Sequence, residues 1–484
     1  MKQLILTGLW LIFTINQTFS QNYVITDFGA KTGPENLNTE AINKAIETCS
    51  EKGGGIVTVP PGLFFTGTIV LQDNVNLDLK AGAILKASSN LSDFLITDVT
   101  NTENIQTKGI ITSNNANNIS ITGEGLIDCS SDAFKITGEL HNPGDLDVKF
   151  TRQGNDYLNP KFGTADGPVK MKKRPGFMIH LINGNNILIS GIKIINSPHW
   201  TMRLADSKNI TIHNVDISND QQVPNSDGIH FTSCEDVRVS DCNFICGDDA
   251  LIFTSFSSNN LPTQNVVVNN CILQSRSSGI RIGPGTGEIQ NLLFSNIIIK
   301  NSNRGIGIFA RDNPNIRNVA FTNIVIETRL HTGHWWGNGE PIHISCIKRN
   351  ESTQVGNIDN VSFSNVKMNS EAGILVYANE SNKISNISFD RLTLNIRNSS
   401  LNQGYGGNID LRPAYSKALS IFKNDIAGIF AKDVNGLNID FCKINLSEKL
   451  PDFFNAAIHA RDCNNVNIRN NQLDSDRESI LPAA

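Results

Sequence analysis

The chain has 484 residues, 18% of them charged, and a formal net charge of −5. Its Lys and Arg residues are scattered along most of the chain, so nothing in the charge pattern supports a nucleic-acid or anionic-membrane binder. Nine cysteines are an odd count at irregular positions, which argues against a disulfide framework.

Taken in chain order, residues 1–20 carry Lys2, an apolar run from Leu4 to Ile15, and small residues at Thr18 and Ser20 before Gln21. That pattern predicts a cleaved secretory signal, too short to span a membrane, and a secreted or periplasmic protein. No Cys stands at the predicted cleavage point, so no lipid anchor is expected, and no other stretch would cross a bilayer. Asn38 and Thr39 precede a segment from Glu40 to Thr48 in which Ala41, Ile42, Ala45 and Ile46 make one apolar helical face. This short helix would cover an otherwise exposed end of a strand stack. Asp128 to Pro175 is an excursion poor in apolar residues, to be read either as a surface loop or as the wall of a binding groove.

A repeat begins at Asn186 to Ile194 and returns at Asn209 to Ile217, Asp236 to Phe244, Asn265 to Leu273 and Asn291 to Ile299. Each unit is two short alternating runs around a polar bend. One apolar column, Ile192, Val215, Cys242, Cys271, Ile297, Ile324, Val366, Leu392 and Cys442, advances by 23, 27, 29, 26, 27, 42, 26 and 50 residues. A period in the twenties with Asn or Gly at the bends predicts an all-β solenoid, a right-handed parallel β-helix. Asn and Gly tolerate the left-handed backbone of such bends. Because a solenoid lengthens through neighbour contacts alone, a single domain over residues 21–484 is expected, and a monomer. The two long steps place loops at His331 to Glu340 and at Asn398 to Lys423. Cys242, Cys271 and Cys442 on the inward column read as a ladder of small buried thiols. Cys234, Cys242 and Cys246 lack metal-ligand spacing.

Laying the units in register aligns Asp227-Gly-Ile-His-Phe231 with Asp249-Ala-Leu-Ile-Phe253, Ser278-Gly-Ile-Arg-Ile282 and Arg304-Gly-Ile-Gly-Ile308. Strand alternation then turns Ile229, Leu251, Ile280 and Ile306 inward, and gives an outward row of Arg203, His230, Ile252, Arg281, Gly307 and His343. Asp227 and Asp249 become stacked like charges with Asp248 beside them, an arrangement that costs stability. Clustered carboxylates divide into a protonated acid and an ionised base, which is what glycoside hydrolysis uses. Inverting enzymes separate the two by about 6.5–9.5 Å and retaining ones by about 5–5.5 Å; the wider spacing is expected here. The same oxygens also suit a Ca²⁺ site.

At these residues the chain resembles glycoside hydrolase family 28, the polygalacturonase group. The family's Asn-Thr-Asp-Gly element matches Asn225-Ser226-Asp227-Gly228, and its Gly-Asp-Asp element matches Gly247-Asp248-Asp249. The segments Tyr23 to Ala30, Gly53 to Gly62 and Asn196 to Trp200 are also similar to family segments. The resemblance implies hydrolysis with inversion, Asp248 as general acid, and Asp227 and Asp249 positioning and deprotonating the attacking water. It implies no metal or organic cofactor. Two elements depart. The family's Gly-His-Gly falls on Ser277-Ser278-Gly279, and its Arg-Ile-Lys falls on Gly307-Ile308-Phe309, which removes the basic residues that hold a uronate.

The expected substrate is a pectic polysaccharide or oligosaccharide, of galacturonan or rhamnogalacturonan type, or a related acidic glycan. Its expected contacts are Asn225, Trp200, Arg203, His230, Ser278, Arg281, Arg304, Trp335, Trp336, Glu340 and His343. Arg281 is the candidate replacement for the missing charge, as a carboxylate or sulfate ligand. Trp200, Trp335 and Trp336 offer rings for stacking on sugars, while Arg311 reads as a surface salt-bridge residue. Two other readings stay open. One is a β-helix polysaccharide lyase using Ca²⁺ and a basic residue; the other is a non-catalytic glycan-binding solenoid.

Overall fold

The computed structural model describes residues 21–96, 105–141, 151–157, 166–256, 261–410, 425–447, 449–474 and 478–481. The predicted secretory signal lies outside them. The described chain winds as a right-handed parallel β-helix whose strands form one set of 25 and one of 13. The larger set runs along two faces of the coil. One passes through Asn185–Ser190, Lys208–His213, Glu235–Ser240 and Thr263–Asn269, the other through Lys193–Ile195, Asp216–Ser218, Asn243–Cys246 and Ile272–Ser275. The 13-stranded sheet is the third face.

Register is kept coil after coil. Ile187 pairs with Ile210, Ile210 with Val237, Val237 with Val266 and Val266 with Leu292. The predicted apolar column is buried from Ile192 to Cys442, and on the third face Ile229, Leu251, Ile280 and Ile306 pair in succession with their side chains inside. The interior carries a run of stacked rings, with Phe294 and Phe363 each 4.7 Å from Phe321 between centroids. All nine cysteines are free, and Cys242 and Cys271, on neighbouring coils, donate their thiols to Ser240 O and Asn269 O at 3.1 Å each.

The bends explain the asparagines. Asn265, Asn291, Asn318 and Asn360 all have left-handed φ values between 52° and 58°, a conformation that Asn accepts at small cost. Their amides then form a ladder, Asn291 donating to Asn265 at 3.3 Å, Asn318 to Asn291 at 3.1 Å and Asn360 to Asn318 at 2.9 Å.

The helix Thr39–Glu51 buries Ile42, Ala45, Ile46 and Cys49 against the first coil. Asn38 stands at its start but does not cap it; its amide accepts from Lys31 N at 2.7 Å and donates to Phe65 O at 3.2 Å, tying helix to coil instead. Within the excursion, Lys135–Leu140 pairs antiparallel with Val169–Met171. Among the described residues, no helix is long and apolar enough to cross a membrane.

Candidate active site

The third-face strands Met202–Ala205, Ile229–Thr232, Leu251–Ser255, Ser278–Gly285 and Arg304–Phe309 lie side by side, and the turns before them supply the polar residues. Main-chain bonds between those turns hold the register: Thr201 N donates to Asp227 O at 3.0 Å, Gly228 N to Asp249 O at 2.9 Å and Ala250 N to Ser278 O at 2.9 Å. The turn position therefore stacks Trp200, Asp227, Asp249, Ser278, Arg304 and Glu340 on successive coils. The outward row pairs Arg203 with His230, His230 with Ile252, Ile252 with Arg281, Arg281 with Gly307 and Gly307 with His343, as the alignment of the repeats predicts.

Two glycines make the close packing of the turns feasible. A Cβ at Gly228 would stand 2.2 Å from Ala250 O, and one at Gly247 would stand 2.4 Å from both Ser226 Oγ and Val223 O. Ser226 joins the motifs, its hydroxyl donating to Val223 O at 2.8 Å and accepting from Gly247 N at 3.1 Å. Asp227, Asp248 and Asp249 are brought together so that one oxygen of each lies within 4.8 Å of the others. This is closer than the wide separation expected of an inverting pair.

Each carboxylate is held differently. Asp227 Oδ2 is 2.9 Å from His230 Nε2, and the imidazole stacks on Trp200 at 3.6 Å between centroids and 9° between planes. Burial, then the charges of Arg281 and Arg203, hold the His230 pKa well below the usual imidazole range. The ring is therefore neutral, with Nε2 facing the Asp227 carboxyl group. Asp249 Oδ1 accepts from Ser278 N at 2.8 Å while its Oδ2 is 2.6 Å from Arg281 Nη1. Asp248 Oδ1 accepts from Asp249 N at 2.9 Å. Three oxygens at such distances also resemble a cation cage, but the Arg281 guanidinium already occupies one side of Asp249.

A cleft of about 410 Å³ opens over these groups. Of the expected contacts it is lined by Trp200, Arg203, Asn225, His230, Arg281, Arg304 and Trp336, together with the three aspartates. Four expected contacts lie elsewhere. Ser278 is buried below Asp249, with its hydroxyl 3.4 Å from Arg304 Nη1. Trp335 is buried beside Gly167 rather than exposed with its neighbour Trp336. Glu340 and His343 sit behind the cleft, Glu340 Oε1 being 2.7 Å from Arg304 Nε and 3.1 Å from His343 Nδ1. Arg304 Nη2 also reaches Asp410 Oδ2 at 3.0 Å, so its charge is answered from behind by two buried acids. Arg281 is turned onto Asp249 instead of waiting for a substrate anion.

Residues that the sequence did not offer as substrate contacts complete the site. Thr232, Thr254, Phe256, Pro284 and Arg349 line the cleft, as do Ser277 and Phe309 from the two departing elements, and Arg311, expected in a surface salt bridge, lines it too. Arg174, from the excursion, is buried and donates to Pro198 O at 2.6 Å, Pro224 O at 2.9 Å and Asn225 Oδ1 at 2.9 Å. The excursion thus braces the Asn225 turn from outside. A buried arginine between three acceptors from two coils leaves no local pattern in sequence.

Comparison with known proteins agrees with this architecture. The sequence profile of glycosyl hydrolases family 28 matches residues 49–328. A probable polygalacturonase of Vitis vinifera is 28% identical over 305 residues, covering 59% of this chain and 56% of the relative. An exo-poly-alpha-D-galacturonosidase of Dickeya chrysanthemi is 27% identical over 362 residues, covering 67% of this chain and 59% of the relative. The chain thus spans less than two thirds of the length of these two curated relatives. The family 28 exopolygalacturonase structure of Yersinia enterocolitica superposes with a TM-score of 0.65 at 18% identity, over 93% of this chain and 79% of that one, which shows a shared fold.

Proposed function

Since the chain belongs to glycosyl hydrolases family 28, we propose that it is an exported inverting hydrolase of a pectic or related acidic poly- or oligosaccharide. The observation that carries the hydrolase reading, as distinct from its stereochemistry, is the trio of carboxylates within 4.8 Å at the floor of an arginine-lined cleft. Asp248 protonates the glycosidic oxygen as the bond breaks, and Asp227 and Asp249 hold and deprotonate the water that attacks the anomeric carbon. Both oxygens of Asp249 are engaged, by Ser278 N and Arg281, and Asp227 is engaged by His230. Carboxylates stabilised in this way are poor nucleophiles and good water holders, which favours direct displacement by water over a glycosyl-enzyme intermediate. Trp200, kept flat on His230, offers an aromatic face beside the reacting sugar. The apolar run over Leu4 to Ile15 supports export to where such polymers occur.

The test is product analysis on defined acidic oligosaccharides. Hydrolysis with an inverted anomeric centre in the first product, read by proton NMR before mutarotation, is expected. Retention would overturn the inverting step. An unsaturated, ultraviolet-absorbing product lost on adding chelator would replace hydrolysis by elimination.

A further inference from the structure

Arg304 is the hub of a buried charge network beside the three aspartates. Its guanidinium is held at every nitrogen, Nε donating to Glu340 Oε1 at 2.7 Å, Nη2 to Asp410 Oδ2 at 3.0 Å and Nη1 to Ser278 Oγ at 3.4 Å. The two acids arrive from the two long insertions, and main-chain amides of the first insertion fix both: Asn338 N donates to Glu340 Oε2 and Gly337 N to Asp410 Oδ2. Two donors on one oxygen of Asp410 suit an ionised carboxylate. The Asp410 side chain is fully shielded from solvent, and those of Arg304 and Glu340 are 4% and 7% exposed. His343, its pKa lowered chiefly by burial, adds no charge at neutral pH. One guanidinium and two carboxylates therefore leave the hub with a net charge of −1.

The hub is within electrostatic reach of the chemistry. Arg304 stands two coils from Asp249, with Ser278 between them, a separation of about 10 Å at the inter-strand spacing. Burial works against the Arg304 charge, but Glu340 and Asp410, and then Asp249, raise its pKa. The other groups facing the trio are cationic or neutral. Arg203, Arg281, Arg311 and Arg349 line the cleft, His230 is neutral, and burial followed by the three aspartate charges pushes the Cys246 thiol up. Cations around clustered carboxylates draw the proton off all of them, including the one needed as an acid. Resting on the hydrolase reading, we propose that Asp410 is a positioning residue acting through Arg304: it fixes the guanidinium on the two insertions and overbalances its charge, so that Asp248 keeps the proton its acid role requires.

The experiment measures the kcat profile against pH, on one defined uronic-acid oligosaccharide, for the wild type, Asp410→Asn and the double variant Asp410→Asn, Arg304→Gln. Asp410→Asn keeps the shape, leaves an oxygen for Gly337 N and brings the hub to zero charge. Loss of a negative charge favours ionised carboxylates, so acid and base both give up their protons at lower pH. Both limbs of the profile should therefore move down by about 0.5 to 1 pH unit. The double variant has a hub charge of −1 again, carried by Glu340, and its limbs should return toward the wild-type positions whatever its turnover. Lower turnover with the limbs in place, or limbs that stay displaced in the double variant, overturns the proposal while leaving the hydrolase intact. If Asp410→Asn does not fold, Glu340→Gln brings the hub to the same charge and should give the same displacement. If the wild type hydrolyses nothing, the hydrolase reading fails by itself, and the proton affinity is read from the pH dependence of carbodiimide labelling at Asp248 by peptide mass spectrometry. A labelling curve displaced in Asp410→Asn and restored in the double variant sustains the role of Asp410; coincident curves end it.

Discussion

Among single residues, Asp248 is the one assigned the acid role. Asp227 faces His230, Asp249 faces Arg281, and Asp248 accepts the Asp249 amide beside it. Replacing Asp248 by Asn keeps the shape and removes the transferable proton, so kcat should fall by about 10²- to 10⁴-fold with the circular dichroism spectrum unchanged; undiminished turnover would remove Asp248 from the acid role. His230 gives a second expectation. Its pKa is held well below 6.5 by burial and by Arg281 and Arg203, so the imidazole does not change charge across neutral pH. The kcat profile of the wild type should therefore lack an inflection near the ordinary imidazole value of about 6.5. An inflection there that vanished in His230→Phe would contradict the neutral-ring assignment. The aspartates were legible in the sequence because register alone brings Asp227 over Asp249. The roles of Arg281 and Glu340 were not, because a side chain's choice between solvent, substrate and a buried acid is decided by its three-dimensional neighbours.

For the structural elements, the repeat was readable because two physical requirements recur in every coil. An apolar residue must point inward at a fixed place, and an asparagine must take the left-handed bend, as Asn291, Asn318 and Asn360 do. The excursion carries neither requirement, and its bracing of the Asn225 turn through Arg174 was invisible for that reason. The loop from His331 to Glu340 was recognised as an insertion, yet its acid serves the interior. Glu340 and Asp410 enclose Arg304, and Glu340 also accepts from His343. Burial alone would raise the Glu340 pKa, but Arg304 and His343 carry it below 4.5. A depressed carboxyl pKa contributes stability above the unfolded value and loses it as pH falls through the folded one. His343, lowered from 6.5 chiefly by burial, opposes protonation and pushes the same way. Stability should thus decline on acidification, first below about 6.5 and more steeply below about 4.5. In Glu340→Gln the dependence below about 4.5 should flatten in denaturant titrations. A variant as acid-sensitive as the wild type would place the titrating group elsewhere.

The whole molecule determines how a polymer reaches the acids. A bare β-helix sheet would offer a groove as long as the stack, and the outward row does continue in both directions, from His180 beside Arg203 to Leu375 and Phe430 beyond His343. The cleft does not follow it. Toward the N-terminal coils, Phe177 packs 4.9 Å from both His180 and Trp200 between ring centroids, and His180 is buried. Toward the C-terminal coils, Trp336 lines the edge, and Asn408, Ile409 and Asp410 lie over His343, Leu375 and Phe430, all three of them buried. The described residues of the two long insertions, Trp336 and Asn408 to Asp410, thus stand on the same side. With residues packed at both ends of the row, cleavage is expected to proceed from chain ends. On a long acidic polymer, short products should accumulate from the first time points while viscosity falls slowly relative to the reducing ends released. Polymer whose termini are chemically blocked should resist. A rapid collapse of viscosity with few bonds broken would show that the packed ends open to admit internal segments, and would leave the assignment of the three aspartates untouched.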